Sequence, residues 1–354
     1  MRILVIIAAT LWLMVQLRSV LQPLAVGALV WLLLTATSDT ALKLLPQRFR
    51  DARTTARVFS TFVTLLILVV VGVLIANDVA TLGANLEIYE HNLDSWLNRV
   101  ATLFDTEKDL SVVGLLERVD FRSIAIQFAG STASYLATFF AVLLYLMFIL
   151  LEAGAVEKKV AALARHDGQE QRLRGYLSTI KQAIDDFLSV QMLIGVVQAV
   201  PTFVLLKIIG VDGPVLWAVL IFLLSFIPTI GTLFGILIPS AMTLLQFSTL
   251  TPFLVVFGVL GTIQLASTNI LMPQLMSRSL NLSPLIVMFA VFLGGTVWGI
   301  VGAIIAVPAL TIMLIVCAGN PSWRSLAVIL SADGQLPTIP GPPSHPDAEP
   351  KLKF

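Results

Sequence analysis

The chain has 354 residues, of which 57% are hydrophobic and 12% charged; its formal net charge is +1 and its mean hydropathy +0.94. Soluble domains carry about 25% charged residues, so the composition excludes a water-soluble enzyme and points to an all-α polytopic membrane protein. The net charge says nothing about partners, but there is no basic stretch that would suit nucleic acid, and none is expected as a partner.

In chain order, Arg2 and the apolar run Ile3–Val15 imitate a signal peptide, but a second run, Val20–Ala36, follows after only a few residues. The two read as a retained helical hairpin, with no cleavage site of small residues between them. Eight apolar runs are long enough, or nearly so, to be membrane segments: Ile3–Leu17, Val20–Thr37, Val58–Ala76, Phe128–Leu151, Phe187–Ile209, Val215–Phe247, Phe253–Met272 and Leu285–Ala318. The loop 40–57 carries Lys43, Arg48, Arg50, Arg53 and Arg57, and the loop 152–186 carries Lys158, Lys159, Arg165, Arg172, Arg174 and Lys181. Residues 78–127 instead hold nine acidic residues against four basic ones. The positive-inside rule therefore predicts that 78–127 is external and that both termini are cytoplasmic.

Both large loops show helical periodicity. Leu82, Leu86, Leu93, Leu97, Val100 and Phe104 recur in the external one, and Leu173, Leu177, Ile180, Ile184 and Phe187 in the cytoplasmic one. They predict amphipathic helices packed on the bundle or on the membrane surface. The tail is rich in proline, with six between 331 and 354, and is expected to be disordered. The expected division is 1–77 (amino-terminal transmembrane helices), 78–127 (external helical segment), 128–186 (a transmembrane helix with a cytoplasmic helix), 187–320 (transport core) and 321–354 (disordered cytoplasmic tail).

Residues 213–323 carry one formal charge, Arg278. Two runs in this stretch, 215–247 and 285–318, are too long for one ordinary crossing, since 33 helical residues extend about 50 Å against a hydrocarbon core of about 30 Å. Each is interrupted near its middle, at Ser225-Phe226-Ile227-Pro228-Thr229-Ile230-Gly231 and at Gly294-Gly295-Thr296-Val297-Trp298-Gly299, with Gly302 following. Proline removes a helical hydrogen bond and glycine loosens the backbone. The two runs also match weakly at an offset of 70, with Pro214 on Pro284, Phe222 on Phe292, Leu223 on Leu293 and Pro239 one residue from Pro308. Paired interrupted segments are a pointer to a transporter binding site. Two geometries are open: long kinked spans, which place Arg278 outside, or re-entrant helical hairpins, the favoured reading, which place it inside.

These motifs resemble the AI-2E family of bacterial membrane transporters. The resemblance rests on Ser225–Gly231 with Gly235 and Pro239, on Asn269-Ile270-Leu271-Met272-Pro273, on Leu282-Ser283-Pro284, and on Gly294-Gly295, Gly299, Gly302 and Val307-Pro308. It covers roughly residues 1–320. One departure is Ser277-Arg278-Ser279, where a glycine-bearing turn is expected. The resemblance implies export of a small polar signal or metabolite, such as autoinducer-2, from the bacterial inner membrane by a homo-oligomer, a pentamer in this family; some relatives are described as sodium/proton antiporters.

No Asp or Glu lies inside the eight runs, which argues against a midplane coupling carboxylate. Asp185 and Asp186, at the edge of one run, are the candidates if the chain is an antiporter. The expected substrate contacts are neutral: Gln191 and Gln198 on one helix face, Ser225, Pro228, Thr229 and Gly231 at the first break, Gln264, Asn269 and Pro273 between the breaks, and Gly295, Thr296, Gly299, Gly302 and Pro308 in the second broken run. Such groups also join helices to one another in membranes. Cys317 reads as a small buried hydrophobe, and His91, His166 and His345 lie too far apart in sequence to suggest a metal site. With no cofactor motif, metal spacing or nucleophile–base pair in view, the expected function is an exporter of a small polar solute. An antiporter and a non-transporting scaffold are the alternatives.

Overall fold

In the computed structural model, the described residues are 9–10, 12–44, 53–103, 132–163, 167–228, 230–275 and 281–337. They are helical throughout, apart from short connections and one isolated antiparallel bridge between Leu282 and Ser331. The helices are α1 (Arg18–Leu44), α2 (Arg53–Ala84), α3 (Leu86–Leu103), α4 (Thr132–Ala153), α5 (Val156–Leu163), α6 (Asp167–Ile209), α7 (Pro214–Leu224), α8 (Ile230–Gln246), α9 (Thr251–Ala266), α10 (Met272–Leu275), α11 (Pro284–Trp298), α12 (Ile300–Ala318) and α13 (Arg324–Leu330). Among the described residues, five helical stretches are long and apolar enough to cross a membrane: Arg18–Thr35, Leu65–Ala84, Glu170–Ile209, Thr251–Leu275 and Ile300–Ala318. The all-α polytopic class is therefore met.

Both long runs are broken, and both fold back. The limbs of the first are α7, of 11 residues, and α8, of 17; the second gives α11, of 15, and α12, of 19. At 1.5 Å per residue these limbs are about 16, 25, 22 and 28 Å long, so three of the four fall clearly short of a core of about 30 Å. In the first run, a Cβ on Gly231 would run into the Leu224 carbonyl, and one on Gly235 would lie 3.6 Å from Ile221. At the far end of the same limbs, the backbone N–H of Asp212 donates to Gln246 Oε1 (2.8 Å). Contacts 7, 14 and 34 residues apart that share one centre can arise only from antiparallel limbs. In the second run, Gly294 and Gly302 face each other so closely that a Cβ on either would meet the other's carbonyl. We call these hairpin A (214–246) and hairpin B (284–318). The kinked single-span alternative is overturned; Arg278, which was to distinguish the two, lies outside the described residues, as does the Ser277–Ser279 departure.

The chain forms two compact units. One comprises 1–37, 141–189 and 278–354 and holds hairpin B; the other comprises 38–140 and 190–277 and holds hairpin A. Within the first, Gly27 of α1 sits against α4, where a Cβ would be 3.3 Å from Val142, Tyr145 and Leu146 atoms. Close approach at small residues suits a bilayer, where lipid competes equally for apolar side chains. Leu146, Leu188, Val291, Val307 and Leu314 are buried here. Within the second, Leu206, Val211, Ile221, Met242, Val256 and Leu260 surround Tyr89. Leu285 and Ile208, 79% and 78% exposed, are typical of the apolar surface that a lipid environment would cover.

Two expectations change. The cytoplasmic amphipathic helix and the run Phe187–Ile209 are one unbroken helix, α6, so the boundary expected at 186/187 falls mid-helix. Its apolar face continues in register into the apolar run, and no glycine or proline lies between them to stop it. The disorder expected from 321 onward also fails through 337. Pro321–Trp323 form a 3₁₀ turn, α13 packs on α12, and Ser331 pairs with Leu282. The apolar stretch Leu326–Leu330, with Ala327 and Leu330 buried, gives this segment something to bury; residues 338–354 lie outside the described residues.

Candidate functional site

Hairpin A turns where Pro228 prevents helix continuation. Ser225, Phe226 and Ile227 close the end of α7 by donating to Ile221, Leu223 and Leu224 carbonyls, and Gly231 N–H donates back to Ile227 O (2.9 Å). Gln191 of α6 reaches this bend: it is 1% exposed, and its Nε2 donates to Ser225 O at 2.8 Å. One turn on, Gly195 makes room for the bend, since a Cβ there would be 2.7 Å from the Phe222 ring and 2.8 Å from Ser225 Oγ. Phe222 and Phe226 meet edge to face, 5.6 Å between centroids.

Further along, Pro239 inside α8 deprives the Gly235 carbonyl of its helical donor. The buried amide of Gln264, from α9, lies against Gly235, whose Cβ would be 2.7 Å from Nε2. After α9 the helix widens into a π turn, Ser267–Leu271, where Ser267 is buried and Thr268 Oγ1 lies 3.4 Å from Thr232 Oγ1. Such π turns are frequent at functional sites.

Hairpin B turns at a single residue, Gly299, with φ 63° and ψ −144°, a conformation open essentially to glycine. Its bend is held as that of hairpin A is: Gln22 Nε2 of α1 donates to Trp298 O (3.0 Å), while Trp298 Nε1 donates to Met14 O (2.9 Å). In each unit, then, a glutamine amide from a neighbouring helix holds a backbone carbonyl at the bend.

The open end of hairpin A is built from residues that the sequence reading did not single out. Asp78 at the end of α2 accepts from the Val215 and Leu216 N–H groups (2.8 and 2.9 Å), satisfying orphan donors at the positive end of α7. Asp212 accepts from Asn85 Nδ2 and Tyr89 OH, both at 2.7 Å. Asn92 donates to the Leu245 and Gln246 carbonyls at the end of α8, both at 3.0 Å. Gln246 Nε2 donates to Gly210 O (2.8 Å). Burial, aided by the Asp212 carboxylate, pushes the Tyr89 phenol above its ordinary value. Asp78, Asn85 and Asn92 lie in a segment that sequence alone gives only as amphipathic; Gln22 and Gln246 carry the signal that found Gln191, a lone amide in an apolar run.

The remaining candidates separate clearly. Gln198 is buried on the face it shares with Gln191, and its carbonyl accepts from Thr202 Oγ1 (2.7 Å). Asn269 and Thr296 are exposed and donate within their own helices, to Leu265 O and Leu293 O. Pro273 is exposed, Gly295 has open space about it, and Gly302 and Pro308 are buried in hairpin B. Thr229 lies outside the described residues. Asp185 is 3.8 Å from Lys181 on its own helix, and Asp186 is exposed. Gln191, Ser225, Pro228, Gly231 and Gln264 belong to the unit of hairpin A; Gly295, Thr296, Gly299, Gly302 and Pro308 belong to that of hairpin B.

The sequence model for AI-2E family transporters matches residues 1–318. A Borreliella burgdorferi protein described as a candidate transport protein is 32% identical over 59% of this chain and 57% of its own length. A Haemophilus influenzae protein of the same description is 29% identical over 54% of the chain and 55% of its own length. The AI-2 transport protein TqsA of Escherichia coli is 26% identical over 78% of the chain and 81% of its own length. The match thus spans little more than half the length of the first two relatives.

Proposed function

Because the chain belongs to the AI-2E transporter family, we propose that it is a multi-pass bacterial inner-membrane transporter that exports a small polar solute of the autoinducer-2 type by alternating access. Both termini are cytoplasmic in this reading, and the protein works as a homo-oligomer of the family's pentameric kind. The observation that carries the proposal is the pair of folded-back hairpins. Each puts an irregular bend into an apolar setting, and such backbone is tolerated at membrane depth only inside protein or against a water-filled cavity. A structural scaffold gains nothing from two such bends. The bends offer amides, hydroxyls and backbone carbonyls without a formal charge, which suits a neutral hydroxylated solute.

The test is release of autoinducer-2 from proteoliposomes containing only this protein, with and without sodium and proton gradients. Release above empty liposomes supports the proposal. Sodium uptake coupled to proton release, without movement of autoinducer-2, would establish the antiporter instead. Double replacement of Asp185 and Asp186 by Asn leaves solute flux intact in this account and abolishes it in an antiporter that uses them.

A further inference from the structure

We propose that the bend of hairpin A is a subsite for a hydroxyl group of the solute, with Oε1 of Gln191 as its acceptor; this rests on the transport reading above and gives it a chemical class, small neutral polyhydroxylated molecules. The primary observation is an imbalance. Gln191 Nε2 is committed to Ser225 O, which fixes the whole amide at the bend, yet its Oε1 is buried without a hydrogen-bond partner among the described residues. A buried acceptor left unmet costs about 1–3 kcal/mol, so the position favours whatever brings it a donor.

Among the described residues of the bend, the donors are already in use. Ser225, Phe226 and Ile227 N–H close α7, Ile230 and Gly231 N–H bond Pro228 O and Ile227 O, and Ser225 Oγ donates to Phe222 O at 2.7 Å. The donor for Oε1 is therefore supplied from outside this set. Residues 214–246 contain no formal charge, so a cation would arrive without a counter-charge, and desolvating it would be expensive. An anion would face acceptor atoms. A neutral hydroxyl supplies the missing donor at no charge cost.

Hairpin B has no counterpart at its bend. Gln22 holds the Trp298 carbonyl but is only partly buried, and its oxygen is not among the buried unmet acceptors of the described residues. The subsite is assigned to hairpin A alone.

The experiment places a cysteine at the bend, Ser225→Cys in a Cys317→Ala background, and follows its alkylation in purified protein with glycerol, erythritol, ribitol and mannitol as probes. The expected result is saturable protection by at least one polyol. Gln191→Met should remove that protection, and Gln191→Asn, which withdraws the acceptor by one methylene, should raise the half-protecting concentration about fivefold to tenfold. The Asn variant keeps the test decisive should the Met variant fail to fold. Absence of protection by every polyol, or protection that survives both replacements, overturns the proposal. Protection without autoinducer-2 flux would count against the transport reading and leave the subsite standing; flux without protection would do the reverse.

Discussion

Hairpins A and B solve the same problem by different means. Hairpin B turns on one glycine with positive φ, and its limbs touch backbone to backbone at Gly294 and Gly302. Hairpin A spreads its turn over several residues around Pro228, and polar side chains from α2, α3 and α6 hold both of its ends. Both hairpins have a limb contact that admits no added Cβ, Gly231 against the Leu224 carbonyl in hairpin A and Gly294 against Gly302 in hairpin B; hairpin A adds side-chain hydrogen bonds at both of its ends. The steric contacts tolerate no added side chain, whereas the hydrogen bonds of hairpin A can be weakened in steps. It is also beside hairpin A, on α6, that the Gln191 acceptor remains unmet among the described residues.

The largest expected effect falls on these limb contacts, as at Gly302 of hairpin B. Gly302→Val would drive a side chain into the Gly294 carbonyl and should destabilise the protein by about 3 kcal/mol or prevent folding. Gly295→Ala, a few residues away with open space around it, should change thermal stability by no more than about 0.5 kcal/mol. Thermal unfolding in detergent checks both; equal tolerance of the two would break the steric account. A second effect, of about 1–2 kcal/mol, is expected at the open end of hairpin A. Asn92→Ala leaves two carbonyls of the last turn of α8 without donors, and Asp78→Ala removes the acceptor from the start of α7. The two losses should be nearly additive, because they act on different limbs.

Tyr89→Phe sharpens the same contrast, at about 1 kcal/mol. Because the folded-state pKa of Tyr89 is raised by burial and by Asp212, its contribution is full below the unfolded value of about 10 and declines as the pH rises beyond it. The wild type should therefore lose stability between pH 10 and 11 by more than Tyr89→Phe does; parallel profiles would show that the phenol is not in the network. The smallest effect is expected at Asn269→Ala, within about 0.5 kcal/mol, because Asn269 bonds only to its own helix.

These effects also mark what the sequence can reveal. Class and breaks were legible because proline and glycine inside apolar runs leave few ways for a backbone to continue in lipid. The length of the runs, 33 residues against one crossing, favoured folding back but left a long kinked span open. The closure of hairpin A was not. Asp78, Asn85 and Asn92 lie in a segment whose periodicity announces an amphipathic helix without saying what its polar face meets, and their partners are more than 120 residues away. The unbroken α6 escaped notice because charge marked a boundary where the backbone has none. Asn269 drew interest through its place in the family motif, yet its amide is spent locally.

The central claim is that both interrupted runs fold back as hairpins, and spin-label distances across hairpin A in a bilayer test it most directly. Lys207→Cys and Ser248→Cys flank the open end, next to the Gln246–Gly210 hydrogen bond, and both sites are exposed. In a Cys317→Ala background, labels at these two sites should lie within about 25 Å of each other, since antiparallel limbs bring the open ends together at helix-packing distance. A separation near 50 Å, the length of one continuous 33-residue helix, would contradict the hairpin and remove its bend as the site.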